Sequence, residues 1–197
     1  MKNKITWIEP YYDLMLNKIP LDTRSVLDVG AGKGIFGFIL RNTRDLTTLD
    51  AVEPFEHGLG HYDNVWKQTW QEWFENNREK KYDIVVAFEM IEHLTREDAM
   101  NFLKQVKCIS KKAIIVTPIK FERQEEYEQN VYQTHRSLMT AEDFRLNGFN
   151  VEILGTLNKF RTLSRIVYNR KLRSFMKMVG VKETNIMAYT PDGVSQL

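Results

Sequence analysis

The stretch from Val26 to Gly34, Val-Leu-Asp-Val-Gly-Ala-Gly-Lys-Gly, constrains the fold of this chain more than any other. It begins with residues typical of a buried strand, and glycines then occupy positions 30, 32 and 34. Glycine lets the backbone turn sharply and approach a ligand closely, because no Cβ is in the way. A helix is predicted to begin at Ile35, and the first turn of a helix offers backbone N–H groups that lack partners. We therefore predict a strand–turn–helix unit with a ligand at the turn.

The glycines by themselves are compatible with two kinds of ligand site. Gly32, Gly34 and Gly37 fit the G-x-G-x-x-G fingerprint of dinucleotide-binding proteins, with Glu53 at about the expected distance downstream. A phosphate-binding P-loop is excluded, because no Ser or Thr follows the lysine of the turn. Asp28 favours the other kind of site. A carboxylate two residues before the first glycine would repel a diphosphate on the turn and would attract an ammonium group.

A second strand-like run, residues 46–53, ends in an acid. Glu53 stands there directly before Pro54, where a carboxylate can accept hydrogen bonds from both hydroxyls of a ribose. Asp50 is the rival acid, but two apolar residues and Glu53 separate it from the proline, so we place it earlier in the strand. Glu53 is therefore the predicted ribose ligand.

A third run, residues 84–88, is apolar throughout and is typical of a buried parallel strand. Glu89, Glu92 and His93 follow it directly. Ligands bind at the carboxyl ends of the strands in open α/β sheets. We therefore expect these three side chains to face the same site as the glycine turn.

In this order and spacing, the three motifs resemble those of class I S-adenosylmethionine-dependent methyltransferases over roughly residues 20–190. Asp28-x-Gly30-x-Gly32-x-Gly34 is similar to the first motif, and in that family the turn binds the amino-acid end of the cofactor. The Glu-His phrase after the third run is similar to the fourth motif. The resemblance implies S-adenosylmethionine as cofactor, bound by Asp28, Gly30, Ala31, Gly32, Gly34, Glu53, Thr69, Trp70 and Glu89. Thr69 stands where the family often has an acid that contacts adenine, and Trp70 either stacks on the base or packs within its helix.

The alternation of helical and strand patterns, together with the resemblance, predicts a single α/β domain over residues 1–197. Its sheet is expected to be doubly wound, seven-stranded and mostly parallel, with helices on both faces and the last strand antiparallel. An N-terminal helix is predicted within residues 1–20. Residues 118–138 form a long polar loop of the kind that serves as a lid over substrate.

Residues 156–182 contain eight Lys and Arg residues and no Asp or Glu. We predict a basic helix here, over about 158–179, before the last strand. Such a helix either contacts nucleic acid, phosphorylated sugars or anionic lipid, or presents one solvated face.

The acid–imidazole residues predict the catalytic chemistry. Glu92, His93 and His135 are the candidate catalytic residues, because a neutral imidazole can remove the proton of a hydroxyl as its oxygen is methylated. Glu89 joins these three in a set that could bind a divalent cation such as Mg²⁺, Mn²⁺ or Fe²⁺. A metal-free base and plain structural hydrogen bonding are the other interpretations.

The pattern Glu-x-x-Glu-His with a later His resembles the small-RNA 3′-terminal 2′-O-methyltransferases. In its first part it also resembles the ubiquinone-pathway O-methyltransferases. In those families the metal holds substrate oxygens beside the methyl donor. We expect O-methylation of a hydroxylated small molecule or glycan. The alternatives are a metal-dependent RNA 2′-O-methyltransferase, an NAD(P)-dependent oxidoreductase and a non-catalytic cofactor-binding protein.

Composition sets the remaining expectations. The net charge of +2 indicates no general attraction to nucleic acid or membrane. Cys108 is the only cysteine, which excludes an internal disulfide. It lies within a predicted amphipathic helix, and we expect its thiol to face the protein core. The N-terminal residues lack the apolar stretch of a signal peptide, and no run approaches the roughly 18 apolar residues of a membrane span. We expect a cytoplasmic protein with no membrane span and no obligate protein partner.

Overall fold

A computed structural model describes residues 11–55, 59–125, 130–159, 162–168 and 181–191. The described strands are β1 Ser25–Val29, β2 Thr48–Val52, β3 Asn64–Trp66, β4 Tyr82–Phe88, β5 Ser110–Pro118, β6 Asn150–Lys159, β7 Thr162–Tyr168 and β8 Val181–Tyr189. The α-helices are α1 Tyr12–Leu16, α2 Ile35–Thr43, α3 Trp70–Asn77, α4 Arg96–Ile109 and α5 Ala141–Leu146. Short 3₁₀ turns cover Ile91–His93 and Val131–Gln133.

The strands form one sheet in the order β3-β2-β1-β4-β5-β8-β6-β7. Strands β3, β2, β1, β4 and β5 pair in parallel, and β8 is antiparallel to both β5 and β6. The predicted α/β fold is confirmed, with its mostly parallel seven strands and an antiparallel last strand. Strand β7 adds an eighth strand at the edge next to β6.

Strand β7 lies where the sequence predicts the basic helix. That prediction is wrong for residues 162–168, which pair with β6 as an antiparallel hairpin, and residues 169–180 lie outside the described part of the chain. The run Thr-Leu-Ser-Arg-Ile-Val-Tyr is rich in β-branched and aromatic residues, which favour strands. Apolar spacing alone did not separate the two structures, because pairing with β6 depends on residues remote from the run.

Both faces of the sheet are covered by apolar side chains, as alternation along β1 requires. Leu27 and Val29 face a core that includes Trp73 of α3 and Phe102 of α4. Val26 faces the opposite core, whose members from α1 and α2 are Tyr12, Met15, Phe36 and Leu40. Burial on both faces explains why these strands are almost continuously apolar.

Helices α3, α4 and α5 begin at threonine caps. Thr69 and Glu72 form a capping box at α3, and the Thr95 side chain accepts a hydrogen bond from the Asp98 backbone N–H at α4. The core position expected for Cys108 is wrong, because this residue lies on the exposed side of α4. None of the helices within the described ranges is long and apolar enough to cross a membrane.

Candidate active site

The glycine turn connects β1 to α2 and opens toward the carboxyl ends of the strands. Gly30, Gly32 and Gly34 all have positive φ, with φ of 74° at Gly30. A Cβ on Gly30 would lie 2.4 Å from Cγ of Met90, whereas one on Gly32 would meet nothing within 4 Å. The turn therefore packs tightly against Met90 at its start and is open at its centre.

Glu53 is held against this turn. One carboxylate oxygen accepts a hydrogen bond from the Gly32 backbone N–H at 2.8 Å, and the other accepts one from the Phe55 N–H at 2.9 Å. The rival acid, Asp50, is buried within the sheet, where Tyr82 and Asn64 donate hydrogen bonds to it. The structure thus places Glu53, and not Asp50, beside the glycines, as the sequence predicts.

A cavity of about 170 Å³ lies at the carboxyl ends of β1, β2 and β4. One part of its wall comes from the β1 and β2 ends and the start of α3: Val29, Gly30, Gly32, Val52, Glu53, Pro54, Thr69, Trp70 and Gln71. The other part comes from the segment after β4 and from the 118–138 loop: Glu89, Met90, His93, Leu94, Thr95, Asp98, Tyr132, Gln133 and Arg136. The cavity therefore joins the predicted cofactor residues to the predicted acceptor residues.

Three residues predicted to bind cofactor do not line this cavity, namely Asp28, Ala31 and Gly34. Asp28 is buried, and its carboxylate accepts a 2.5 Å hydrogen bond from the Tyr62 hydroxyl. Burial raises the pKa of Asp28 to about 7, the Tyr62 hydrogen bond opposes this shift, and the charge of Glu53 adds to it. Asp28 therefore does not contact a ligand in the cavity, and its charge would act on such a ligand across the glycine turn.

The two residues at the start of α3 have structural contacts. Thr69 caps the helix. The Trp70 ring stacks on Trp73 and Phe74, and its Nε1 donates a 2.6 Å hydrogen bond to Gln105. Only 3% of Trp70 is exposed, which agrees with the packing interpretation and leaves an edge of the residue at the cavity wall.

Glu92, His93 and His135 form a compact group on the acceptor side. The two imidazole rings lie 4.9 Å apart between centroids, and one ligand atom from each of the three residues lies within 4.8 Å of the others. Glu89 is outside this group. It has φ of 49° and accepts a 2.6 Å hydrogen bond from Asn185 of β8. Of the four residues predicted to bind a cation, the structure therefore groups Glu92, His93 and His135, and it leaves Glu89 outside the group.

Backbone carbonyl groups orient both imidazoles. His93 Nδ1 lies 3.3 Å from the Thr134 oxygen, and His135 Nδ1 lies 2.6 Å from the Glu122 oxygen. A carbonyl oxygen can only accept, so each of these hydrogen bonds requires a proton on Nδ1, and in a neutral ring the lone pair is then on Nε2. Burial lowers the pKa of His93 below its ordinary 6.5, a hydrogen bond to Thr134 opposes the shift, and His135 adds to it. His93 is thus a neutral base at neutral pH.

Glu92 lies close to both imidazoles and is only 3% exposed. One carboxylate oxygen accepts a 3.0 Å hydrogen bond from Thr117, while the other, Oε1, is buried without a hydrogen-bond partner among the described residues. Burial raises the pKa of Glu92 to about 7, and hydrogen bonding that stabilises the carboxylate, including the bond from Thr117, opposes the shift. A buried oxygen of this kind is available to a proton or a cation.

A family model described as a methyltransferase domain matches residues 8–151. The chain belongs to this methyltransferase family. The predicted class I methyltransferase family is confirmed, whereas the closer resemblance of the Glu-x-x-Glu-His segment to RNA and ubiquinone-pathway enzymes stays a prediction.

Solved methyltransferase structures share the fold. A SAM-dependent methyltransferase from Archaeoglobus fulgidus has a TM-score of 0.63 at 18% identity, over 90% of this chain and 91% of that one. The cyclopropane synthase MmaA2 from Mycobacterium tuberculosis has a TM-score of 0.61 at 13% identity, over 91% and 82%. The small RNA methyltransferase HEN1 has a TM-score of 0.56 at 16% identity, over 94% of this chain and 25% of that one. No curated protein matches the sequence.

Residues of this methyltransferase that sequence reasoning missed come from remote segments. Tyr62 reaches Asp28, Met90 packs on the glycine turn, and Asn185 reaches Glu89 across 96 positions. The polar loop over residues 118–138 was identified from its length and composition. The backbone N–H groups of Arg136 and Ser137 in this loop donate hydrogen bonds to the backbone carbonyl oxygen of Glu92. The missed contacts have no local sequence signal, because they depend on packing.

Proposed function

We propose that this methyltransferase uses S-adenosylmethionine to methylate a hydroxyl oxygen of a small molecule or glycan. The observation that carries the proposal is that the glycine turn, Glu53 and His93 line one cavity. The donor is suggested by the relatives, since the Archaeoglobus fulgidus protein is described as SAM-dependent. In this proposal the glycine turn, from Gly30 to Gly34, holds the amino-acid end of the cofactor, and Glu53 accepts hydrogen bonds from the ribose.

His93 is the proposed general base, because it lines the cavity and its pKa lies below 6.5. S-adenosylmethionine supplies, when bound, a methyl group on a positively charged sulfur. The neutral imidazole of His93 would accept the acceptor's hydroxyl proton as the acceptor oxygen takes the methyl group, and the electrons of the broken bond would stay with the cofactor's sulfur. Glu92, buried close by, holds the segment in place through its backbone oxygen, which binds the loop N–H groups. The chain thus supplies alignment and a base, as a reactive electrophile requires.

The acceptor side of the cavity is polar. Tyr132, Gln133 and Arg136 line it together with Asp98. Hydroxyl, amide, guanidinium and carboxylate groups can all hydrogen-bond to a hydroxylated molecule. This rim supports an acceptor with several hydroxyl groups over an apolar one.

Calorimetric titration and methyl transfer test the proposal. We expect S-adenosylhomocysteine to bind the wild-type protein and NAD to give no signal. Labelled S-adenosylmethionine should then transfer its methyl group to members of a panel of sugars, hydroxylated aromatics and RNA 3′ ends. Binding of NAD without binding of S-adenosylhomocysteine would contradict the proposal, and binding without any transfer would favour a non-catalytic protein.

A second candidate, a metal-dependent RNA 2′-O-methyltransferase, is favoured by the group of Glu92, His93 and His135. One nitrogen from each imidazole and one carboxylate oxygen, all within 4.8 Å of one another, form a donor set that fits a divalent transition metal such as Mn²⁺ or Fe²⁺. The Nδ1 hydrogen bonds to carbonyl groups are the outer contacts expected of metal-binding histidines. Mg²⁺ fits less well, because it prefers oxygen ligands. A metal held here would bind the acceptor's oxygens and lower the pKa of the hydroxyl.

Metal addition separates the two candidates. In the second, Mn²⁺ raises the melting temperature of the wild-type protein, and His135→Ala abolishes this increase because one of three ligands is lost. His61→Ala, at an exposed histidine that packs on Phe38, is the matched control and should respond like wild type. Methyl transfer to RNA should stop with chelator and return with Mn²⁺. No thermal shift, together with activity that persists in chelator, would leave His93 as a metal-free base.

A further inference from the structure

Tyr62 packs against the glycine turn, although it belongs to none of the three sequence motifs that predict the site. It follows Leu59 in the connection between β2 and β3, and it is buried. Its hydroxyl donates a hydrogen bond of 2.5 Å to Asp28, a residue of β1 that precedes the turn. The β2–β3 connection and the glycine turn are thus tied together at a carboxylate.

The ring of Tyr62 packs against two glycines, Gly37 of α2 and Gly34 directly before that helix. A Cβ on Gly37 would lie 2.2 Å from Cζ and 2.3 Å from the hydroxyl oxygen of Tyr62. A Cβ on Gly34 would lie 3.3 Å from Cε2 of the same ring. Gly37 fits a dinucleotide fingerprint in the sequence, but in the structure its missing side chain leaves the space that the Tyr62 ring occupies.

The hydrogen bond acts on the charge of Asp28. Burial raises the pKa of Asp28 to about 7, and the Tyr62 hydroxyl counteracts this by stabilising the carboxylate. The charge of Glu53 works against the Tyr62 hydrogen bond, because it raises the pKa of Asp28. Tyr12 of α1 is a further titratable neighbour, and it raises the pKa of Tyr62. Asp28 does not line the cavity, so its charge would act on a ligand through the turn.

We infer that Tyr62 is a positioning residue of the cofactor site, which holds the Asp28 carboxylate under the glycine turn where its negative charge attracts the ammonium group of the cofactor. The inference rests on the proposed use of S-adenosylmethionine. Without the Tyr62 hydroxyl, the pKa of Asp28 rises further. More of the carboxyl is then protonated at neutral pH, and the attraction is lost until the pH is raised.

Tyr62→Phe tests this inference, because it removes the hydroxyl and keeps the ring against Gly37. We expect affinity for S-adenosylhomocysteine to fall about tenfold at pH 7, the size expected for a hydrogen bond to a charged group, and to recover as the pH approaches roughly 8.5. Tyr82→Phe is the matched control. It removes a buried hydroxyl that donates a 2.7 Å hydrogen bond to Asp50, and neither residue lines the cavity. The affinity for S-adenosylhomocysteine should therefore be unchanged.

Asp28→Asn provides a second measurement that does not depend on folding of the Tyr62 variant. In wild type, affinity should rise as the pH rises through about 7, because Asp28 becomes ionised. In Asp28→Asn this part of the profile should be absent, while contributions from Glu92 and His93 remain in both proteins. Circular dichroism verifies that each variant is folded.

The outcomes distinguish the inference from the proposed function. Equal affinities and equal pH profiles in wild type, Tyr62→Phe and Asp28→Asn would overturn the inference alone. An equal loss in Tyr62→Phe and Tyr82→Phe, or a loss without pH dependence, would assign Tyr62 to stability and also overturn it. Failure of the wild type to bind S-adenosylhomocysteine would overturn the proposed function and this inference with it.

Discussion

His93→Ala is expected to lower kcat for methyl transfer by a factor of about 10²–10⁴, the usual contribution of a general base. Affinity for S-adenosylhomocysteine should change little, because His93 is not one of the residues that hold the cofactor in the proposed function. Single-turnover transfer from labelled S-adenosylmethionine measures the rate, and calorimetry measures the affinity. An unchanged rate in the variant would remove His93 from the reaction.

The pH dependence of the same rate provides a second measurement. Burial lowers the pKa of His93 below 6.5, and the base acts in its neutral form. The rate should therefore rise with pH through a value below 6.5 and then reach a plateau, as long as His93 alone controls it. His61→Ala again serves as the matched histidine control, and its rate and profile should equal those of wild type.

Gly30→Ala is expected to destabilise the protein and to weaken cofactor binding together. A φ of 74° costs a residue with a Cβ about 1–2 kcal/mol. The new Cβ would also lie 2.4 Å from Cγ of Met90, so Met90 must move, and Met90 lines the cavity. We expect affinity for S-adenosylhomocysteine to fall about tenfold or more, which corresponds to about 1.4 kcal/mol. Urea unfolding and calorimetry measure the two effects.

Gly148→Ala separates the backbone cost from the effect on the cavity. Gly148 has φ of 82°, follows α5 and is exposed, and a Cβ there would meet nothing within 4 Å. We expect the same backbone cost of about 1–2 kcal/mol and unchanged affinity. If Gly148→Ala weakened binding as much as Gly30→Ala, contact with Met90 would not explain the Gly30 result.

The cofactor half of the candidate site was largely predictable because its signals are local. The bounds of β1 and α2 follow from a buried-strand pattern that runs into glycines and then into a helix. Glu53 could be placed at a strand end because a proline follows it.

The acceptor half was predictable only as a set of residues. The sequence indicated that Glu89, Glu92, His93 and His135 would meet at one edge of the sheet, since the carboxyl ends of parallel strands lie together. It did not indicate that Asn185 would bind Glu89, or that Glu92 would keep a buried oxygen without a partner. These features depend on β8 and on Thr117 of β5, which other parts of the chain bring to the site.

The sequence by itself determined the methyltransferase family, the order of strands and helices through β5 and the position of the glycine turn. Tertiary structure alone decided that residues 162–168 pair as a strand, that Trp70 packs into the core, and that Tyr62 holds Asp28. The reason is physical. Turns, caps and periodic burial are determined by residues within a few positions of one another, whereas pairing and packing depend on residues that only the folded chain brings into contact.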